Sequence, residues 1–290
     1  MKTETVCVMP ILGCLWAALK FLRQENIHGR LIAVNDDQKN FIERFGVAIN
    51  DADAIPELQC RADRKVEVIN AWLKSQGYDI QLQKPADPQA FAVASILNLL
   101  VEWLQEGKRR VLQSKNTGDQ LYAGVFLKEG VSVLSHPDHA HPIIVIKTKS
   151  GDVVKMTKVQ ALIGHEFAIH DLTQKLFFAM QDKSSYDYEG VVFPMIDLDV
   201  QPDISWLCGM KAGGGYFISE ALQQTRFRMN QFGAKVESAA AMCLSRGISI
   251  SPAPYVMDEP FLLWIEGPGM KVPYFSAILA EDVWKEPKSL

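Results

Sequence analysis

Apolar residues fall in short blocks along the chain, and their spacing predicts its elements. Residues 6–19 are apolar, interrupted by Pro10 and Gly13 and closed by Lys20. The block is too short to span a bilayer. It reads as a buried strand over 6–9, then a helix beginning near Pro10, where proline fits the first turn. Leu12, Leu15, Trp16, Leu19 and Leu22 then share one helical face. As a secretion signal it fits poorly, because Glu4 offsets Lys2 and no small-x-small cleavage site follows.

Further on, 31–34 reads as a strand and 38–45 as a short amphipathic helix. A helix is expected over 61–75, with Val66, Ile69 and Leu73 on one side and Gly77 as its stop. The nearly continuous apolar run 91–103 is either a strand buried on both faces or a core helix; periodicity does not separate the two. Strands are expected at 122–127, 131–134, 143–148 and 153–157, divided by turn residues such as Ser150-Gly151-Asp152. A helix over 171–180 precedes strands at 190–195, 217–230, 261–265 and 274–279. Helices early and strands late predict an α+β fold rather than an alternating one. No repeat or linker interrupts the pattern, so a single domain over 1–290 is expected.

Composition narrows the partners. The chain has 290 residues, 48% hydrophobic and 22% charged, with a net charge of −4. That content supports a real core and excludes a disordered chain. The charge gives no sequence-wide pull toward nucleic acid or an anionic membrane, so neither partner is expected. Five cysteines at 7, 14, 60, 208 and 243 form no CxxC pair and read as free thiols. No glycosylation sequon occurs, since Asn116-Thr117-Gly118 fails at its third position. Both features lean toward an intracellular product.

Chemical motifs are sparse. His136, His139 and His141 lie close in sequence, but Pro137 and Asp138 make the stretch read as a turn between strands rather than a metal site. His165-Glu166 with His170 is one residue longer than a zinc-protease helix motif, which puts the two histidines on different faces. Gly213-Gly214-Gly215 lacks the following Lys-Ser/Thr of a phosphate loop. Lys108-Arg109-Arg110 reads as a solvated turn. No serine sits in a nucleophile elbow. Neither an enzyme nor a metal or cofactor is indicated.

The stretch 217–261 stands apart. A long strand ends at Phe232-Gly233, and about 27 residues of small side chains and prolines follow before Phe261. A connection that long is functional or disordered in most compact domains. Its first part alternates: Ala234, Val236, Ser238 and Ala240 form a small, uncharged set, with Lys235 and Glu237 opening the opposite one. A loop patterned like a strand implies a second sheet arrangement. An ordinary flexible, alanine-rich surface loop is the competing reading.

At this stretch the chain resembles the serpins. The family pattern runs S-x-V-x-H-K-x-x-x-E-V-x-E-x-G-T-E-A-A-A-A-T, then a reactive loop, then a Pro-Phe strand. Ser219 and Gly233 match at the same separation, Ala239 falls in the alanine run, and Pro260-Phe261-Leu262 matches the strand beyond. Residues 6–19 resemble the family's V-V-L-S-P-L-S-I-A-M-A-L segment. Ile69-Asn70-Ala71-Trp72-Leu73 resembles I-N-x-W-V, Leu97-Asn98 the L-V-N-A strand, and 190–195 the L-P-K-F strand. The segments keep the family order over nearly the whole chain.

Several positions depart from the pattern. The chain is shorter than most serpins, and the match begins after the family's first helix. The space between Leu22 and Asn40 is too small for the next helices. This brings trimmed, viral members to mind. Trp103 lies two residues later than the family Trp, and Ala277-Ile278 replaces the usual Gly-Arg. In the hinge, Gln231 stands for an acidic residue, Ala234 for Thr, and Val236 and Glu237 for the first two alanines.

The resemblance implies helices packed on a large central mixed sheet, further sheets and an exposed reactive-centre loop at about 233–256. It implies a serine-protease inhibitor that acts as a suicide substrate, with a trypsin-like or other serine protease as its partner, and a monomer without cofactor. The hinge would be Gly233, Ala234, Val236, Ser238, Ala239 and Ala240. The usual loop length counted from Gly233 places the reactive bond after Gly247, and a loop one residue shorter places it after Arg246. Glycine is a poor specificity residue, so Arg246–Gly247 is preferred, for a trypsin-like protease, with Leu244–Ser245 as the runner-up for a chymotrypsin-like one. An extracellular setting follows from the family, against the lean of the thiols and missing sequons. A non-inhibitory binding protein on the same fold is the alternative.

Overall fold

The computed structural model describes residues 2–28, 30–78, 80–99, 101–159, 168–178, 188–233, 252–270 and 272–287. The chain opens with strand β1 (Glu4–Val6) and helix α1 (Val8–Gln24). Helix α2 (Asp36–Phe45), strand β2 (Leu58–Asp63), helix α3 (Val66–Ser75) and strand β3 (Ala90–Leu99) follow. Five strands come next: β4 (Lys108–Gln113), β5 (Leu121–Leu127), β6 (Val131–His136), β7 (His139–Lys147) and β8 (Val153–Lys158). Helix α4 (Ala168–Phe178) leads to β9 (Val191–Pro194), β10 (Ile196–Val200) and β11 (Phe217–Met229). The described elements end with β12 (Tyr255–Val256), β13 (Phe261–Glu266) and β14 (Phe275–Leu279).

These strands form three sheets, ordered β1-β14-β13-β8-β7-β6, β10-β11-β3-β2 and β12-β9-β5-β4. With the helices they make the expected α+β architecture. The chain groups into two compact units, one of Met1–Val6, Leu99–Leu198 and Arg226–Leu290, the other of Cys7–Asn98 and Asp199–Thr225.

In the second unit, β3 settles the ambiguous run as a strand. Its side chains alternate between two covered faces. Ala92, Ala94 and Ile96 pack with Val66, Ile69, Trp72 and Leu73 of α3. On the other face Phe91 meets Phe21 of α1 at 5.1 Å. With both faces buried, no polar alternation is left in the sequence. Gly13 lets α1 press on β2: a Cβ there would lie 2.3 Å from Cys60 Sγ.

Two expectations fail here for clear reasons. Residues 61–63 are strand, not helix, because β2 pairs with β3 from Leu58↔Leu97 to Asp63↔Ala92. The helix starts only at Val66, after Asp63 accepts the Lys65 N–H. Residues 31–34 form no strand beyond a single bridge, Ile32↔Lys211. The Val34 N–H is diverted to Gln38 Oε1 at 2.8 Å. Gln38 is fully buried and donates its Nε2 to the Trp206 and Cys208 carbonyls, so it serves as a polar staple for that loop. Helix α2 begins two residues earlier than periodicity suggests, because the Asn35 side chain caps it through Gln38 N–H.

Below β3 and β11 in this unit lies a set of buried polar groups. Gln223 Nε2 donates to Thr225 Oγ1 at 3.3 Å, and Thr225 Oγ1 donates to Cys7 Sγ at 3.6 Å. Burial pushes the Cys7 and Cys14 thiols up to about 12, which leaves both unreactive. Cys7, Cys14, Cys60 and Cys208 are all free, as expected; Cys243 lies outside the described residues. Gln223 Oε1 is buried without a hydrogen-bond partner among the described residues. Such an acceptor costs about 1–3 kcal/mol. Gln223→Met keeps the shape and removes the orphan. Thermal unfolding of this variant is expected to rise by several degrees; an unchanged or lower Tm would mean the amide is satisfied.

In the first unit the six-stranded sheet buries Ile143, Val145, Trp264 and Ile278 against Ile169 and Leu176 of α4. The buried Lys155 ammonium is held by both Glu266 oxygens at 2.7 and 2.8 Å, and Trp264 Nε1 donates to the same carboxylate. Among the described residues, no helix is long and apolar enough to cross a membrane.

Candidate functional site

The chain leaves β11 through a tight turn, Asn230 to Gly233, closed by paired backbone bonds of 2.9 and 3.3 Å between those two residues. Asn230 Oδ1 also accepts the Phe232 N–H at 2.9 Å, which fixes the turn from inside. This turn is locked onto the segment just after β3. The Trp103 N–H donates to Phe232 O at 3.3 Å and Gly107 N–H to Gln231 O at 2.7 Å. The fully buried Trp103 indole donates Nε1–H to Asn230 O at 2.9 Å and meets Phe193 edge-on at 5.7 Å.

Gly233 is the pivot. Its φ is +115°, and a Cβ there would sit 2.0 Å from Val101 O and 2.7 Å from Glu102 Cα. Both obstacles are backbone, so no side chain can swing aside. A bridge pairs Gly233 with Glu102, whose carboxylate takes Lys149 Nζ at 3.3 Å. Gly233 therefore lies where the exit of β11 touches the residues just after β3.

The far end is tied as firmly. Strand β12 pairs parallel with β9, and Asp258 and Glu259 follow it. The buried Lys158 ammonium contacts Asp258, and also Glu259 at 3.5 Å. Lys115 reaches Glu259 at 2.9 Å and Asp258 at 3.3 Å. The Lys115 hydrogen bond holds the Glu259 carboxyl below its ordinary range, and the same bond raises Lys115. Val159 N–H to Pro260 O completes the anchor.

Of the sequence-predicted site residues, Gly233 is placed at this junction. Ala234, Val236, Ser238, Ala239, Ala240, Leu244, Ser245, Arg246 and Gly247 lie outside the described residues. Ser219 lies on β11, with Oγ donating to Phe91 O of β3 at 3.2 Å. The bond from Phe217 N–H to Gln89 O lies two residues earlier on both segments, so β3 and β11 run the same way. Sequence reasoning missed Asn230 and Gly107, whose partners are distant in the chain. Trp103 was noted only as a displaced family residue. Trp103→Phe keeps the ring but leaves Asn230 O without the indole donor; a loss of about 1–3 kcal/mol in denaturant unfolding is expected.

The other candidates have ordinary places. His136 and His139 face each other across the β6–β7 hairpin, with Asp138 N–H donating to His136 Nδ1. His139 Nε2 pairs with Thr157 Oγ1 at 2.8 Å, and burial, then His141 and His136, push its pKa down. Among the described residues no group of three or more His, Cys, Asp or Glu could hold a metal ion. His165 and Glu166 lie outside them. Gly213–Gly215 is a kinked, non-helical turn leading into β11, with φ of 69° at Gly214 and 83° at Gly215. Lys108–Arg110 is a strand rather than a turn, because β5 pairs with it throughout.

No protein-family model and no curated protein matches the sequence. Solved structures do. Tengpin, a thermophilic serpin in its native state, matches with a TM-score of 0.58 at 12% identity, covering 97% of this chain and 89% of that one. Thyroxine-binding globulin in complex with thyroxine matches at 0.55 and 11%, covering 95% and 92%. Mouse protein Z-dependent protease inhibitor matches at 0.53 and 11%, covering 96% and 90%. The chain has the serpin fold.

Proposed function

We propose that the protein is a serine-protease inhibitor that works as a suicide substrate through the segment following Gly233. The reading rests on the Gly233 junction: the exit of β11 is seated against the residues after β3, its neighbour in the sheet. A strand entering between β3 and β11 would start from that point. The serpin fold and the protease inhibitor among its structural neighbours support this reading.

In the proposed mechanism the protease's serine attacks the Arg246 carbonyl. An acyl ester forms and the Gly247 amine leaves. Ala234, Val236, Ser238 and Ala240 turn inward as the freed segment enters the sheet, while Lys235 and Glu237 face water. Val236 is the bulkiest of the inward set and costs about 1 kcal/mol or more in overpacking. The acylated protease is carried along before water completes deacylation. The protein supplies no catalytic residue and needs no cofactor; it acts as one domain over 1–290 and as a monomer.

Mass spectrometry after brief exposure to trypsin tests the bond. Cleavage after Arg246 is expected, and its loss in Arg246→Ala. Cleavage by chymotrypsin after Leu244, with Arg246 untouched by trypsin, would move the bond to Leu244–Ser245. The thyroxine-bound neighbour favours a second reading, a binding protein on the same fold. That reading predicts a loop that is cut without trapping the protease.

A further inference from the structure

The sheet β12-β9-β5-β4 ends in a strand that the proposed mechanism does not use. Among the described residues, β4 pairs only with β5, so its other edge carries unpaired backbone donors and acceptors. Five of its six residues are exposed; only Leu112 is buried. Over β4 and β5 lies a shallow groove of about 610 Å³, lined by Arg109, Arg110, Val111, Leu121, Tyr122 and Ala123.

Two features of this groove have no folding role. Val111 is 69% exposed and Leu121 66% exposed. Cross-strand pairing of Val111 with Ala123 and of Gln113 with Leu121 puts both apolar side chains on the same face. Beside them Lys108, Arg109 and Arg110 give three consecutive exposed cations in a chain that is net negative. A carboxylate already sits there: Glu286, from the end of the described chain, reaches Arg109 at 2.5 Å. Arg110 lies over the Phe126 ring at 5.9 Å, with its charge still exposed.

We propose that β4 is a docking edge for an extended acidic peptide of a partner protein, which adds to the sheet as a fifth strand. Unpaired backbone on an edge strand supplies the main-chain bonds for strand addition. Alternate residues of the peptide would be apolar, beside Val111 with Leu121 behind it on β5, and acidic, toward Lys108 and Arg110. The cations select the occupant. A second copy paired edge to edge would bring six positive charges into one ladder, which like-charge repulsion disfavours.

Fluorescence anisotropy with the full chain tests this. The probe is a dye-labelled, end-blocked octapeptide of alternating Glu and Val. Saturable binding is expected, weakened at least about tenfold by Lys108→Glu with Arg110→Glu, and similarly by Leu121→Asp. Arg109 is left intact because it holds Glu286. All three changed residues are exposed, and circular dichroism confirms that the variants fold. The same peptide methylated on alternate backbone nitrogens is expected to lose binding, since strand addition needs its N–H groups. Failure of the parent peptide to bind overturns the proposal. Equal binding of the methylated peptide, or insensitivity to the variants, does so too. A phosphate oligomer that binds as tightly as the peptide would reduce the edge to a cationic patch. Self-association lost in Leu121→Asp would make the occupant a second copy.

Discussion

A single cut after Arg246 is expected to raise the thermal midpoint by about 10 °C or more. Freeing residues 234–246 at one end allows roughly ten of them to lie between β3 and β11. Such a strand bonds on both edges while the existing β3–β11 ladder is given up, so the sheet gains about ten hydrogen bonds. At about 1 kcal/mol net each these bonds only offset the ordering of the backbone, so the surplus comes from burying the inward set Ala234, Val236, Ser238 and Ala240 against the core. For a chain this long, each kcal/mol moves the midpoint by about 2–4 °C. Calorimetry of intact and cut protein reads the difference. A cut protein that melts at or below the intact midpoint would show that the segment does not enter the sheet.

Gly233→Val is expected to cost about 3 kcal/mol or more and to lower the midpoint by several degrees. Two effects add. A φ of +115° is a region that β-branched residues avoid. The new Cβ would also meet Val101 O at 2.0 Å, where backbone must move. Gly118→Ala separates the two effects. Gly118 also has positive φ, +63°, but nothing lies within 4 Å of its Cβ position. That control is expected to lose only about 1 kcal/mol. Equal losses in both variants would show that the Gly233 junction is not packed as described. The opened junction is also expected to speed loop cleavage in Gly233→Val.

How much of this was legible in the chain follows from where each signal resides. The hairpins from β5 to β8 could be read because turn residues and apolar runs are local. Strand β3 could not be told from a helix, since burial on both faces erased its alternation. Strand β4 was hidden for the opposite reason: only Leu112 points inward, and three cations in a row read as solvent. Strand β10 was missed because Asp197 and Asp199 break its apolar run. Asp197 in fact accepts from Arg228 Nε at 3.1 Å, and Asp199 contacts Gln224. At the site, Gly233 was recognised from spacing to Ser219. The reason it is glycine lies in Val101 and Glu102, more than a hundred residues away in sequence, and no local pattern encodes that contact. Asn230 and Gly107 were invisible for the same reason.

The most direct test of the inhibitor reading is a denaturing gel of the protein incubated with trypsin. The account predicts a new band at the mass of the protease plus residues 1–246, with residues 247–290 released, resistant to boiling in detergent and absent with Arg246→Ala or with trypsin lacking its nucleophilic serine. Complete conversion to cut protein, with trypsin fully active and no such band at any ratio, would contradict it.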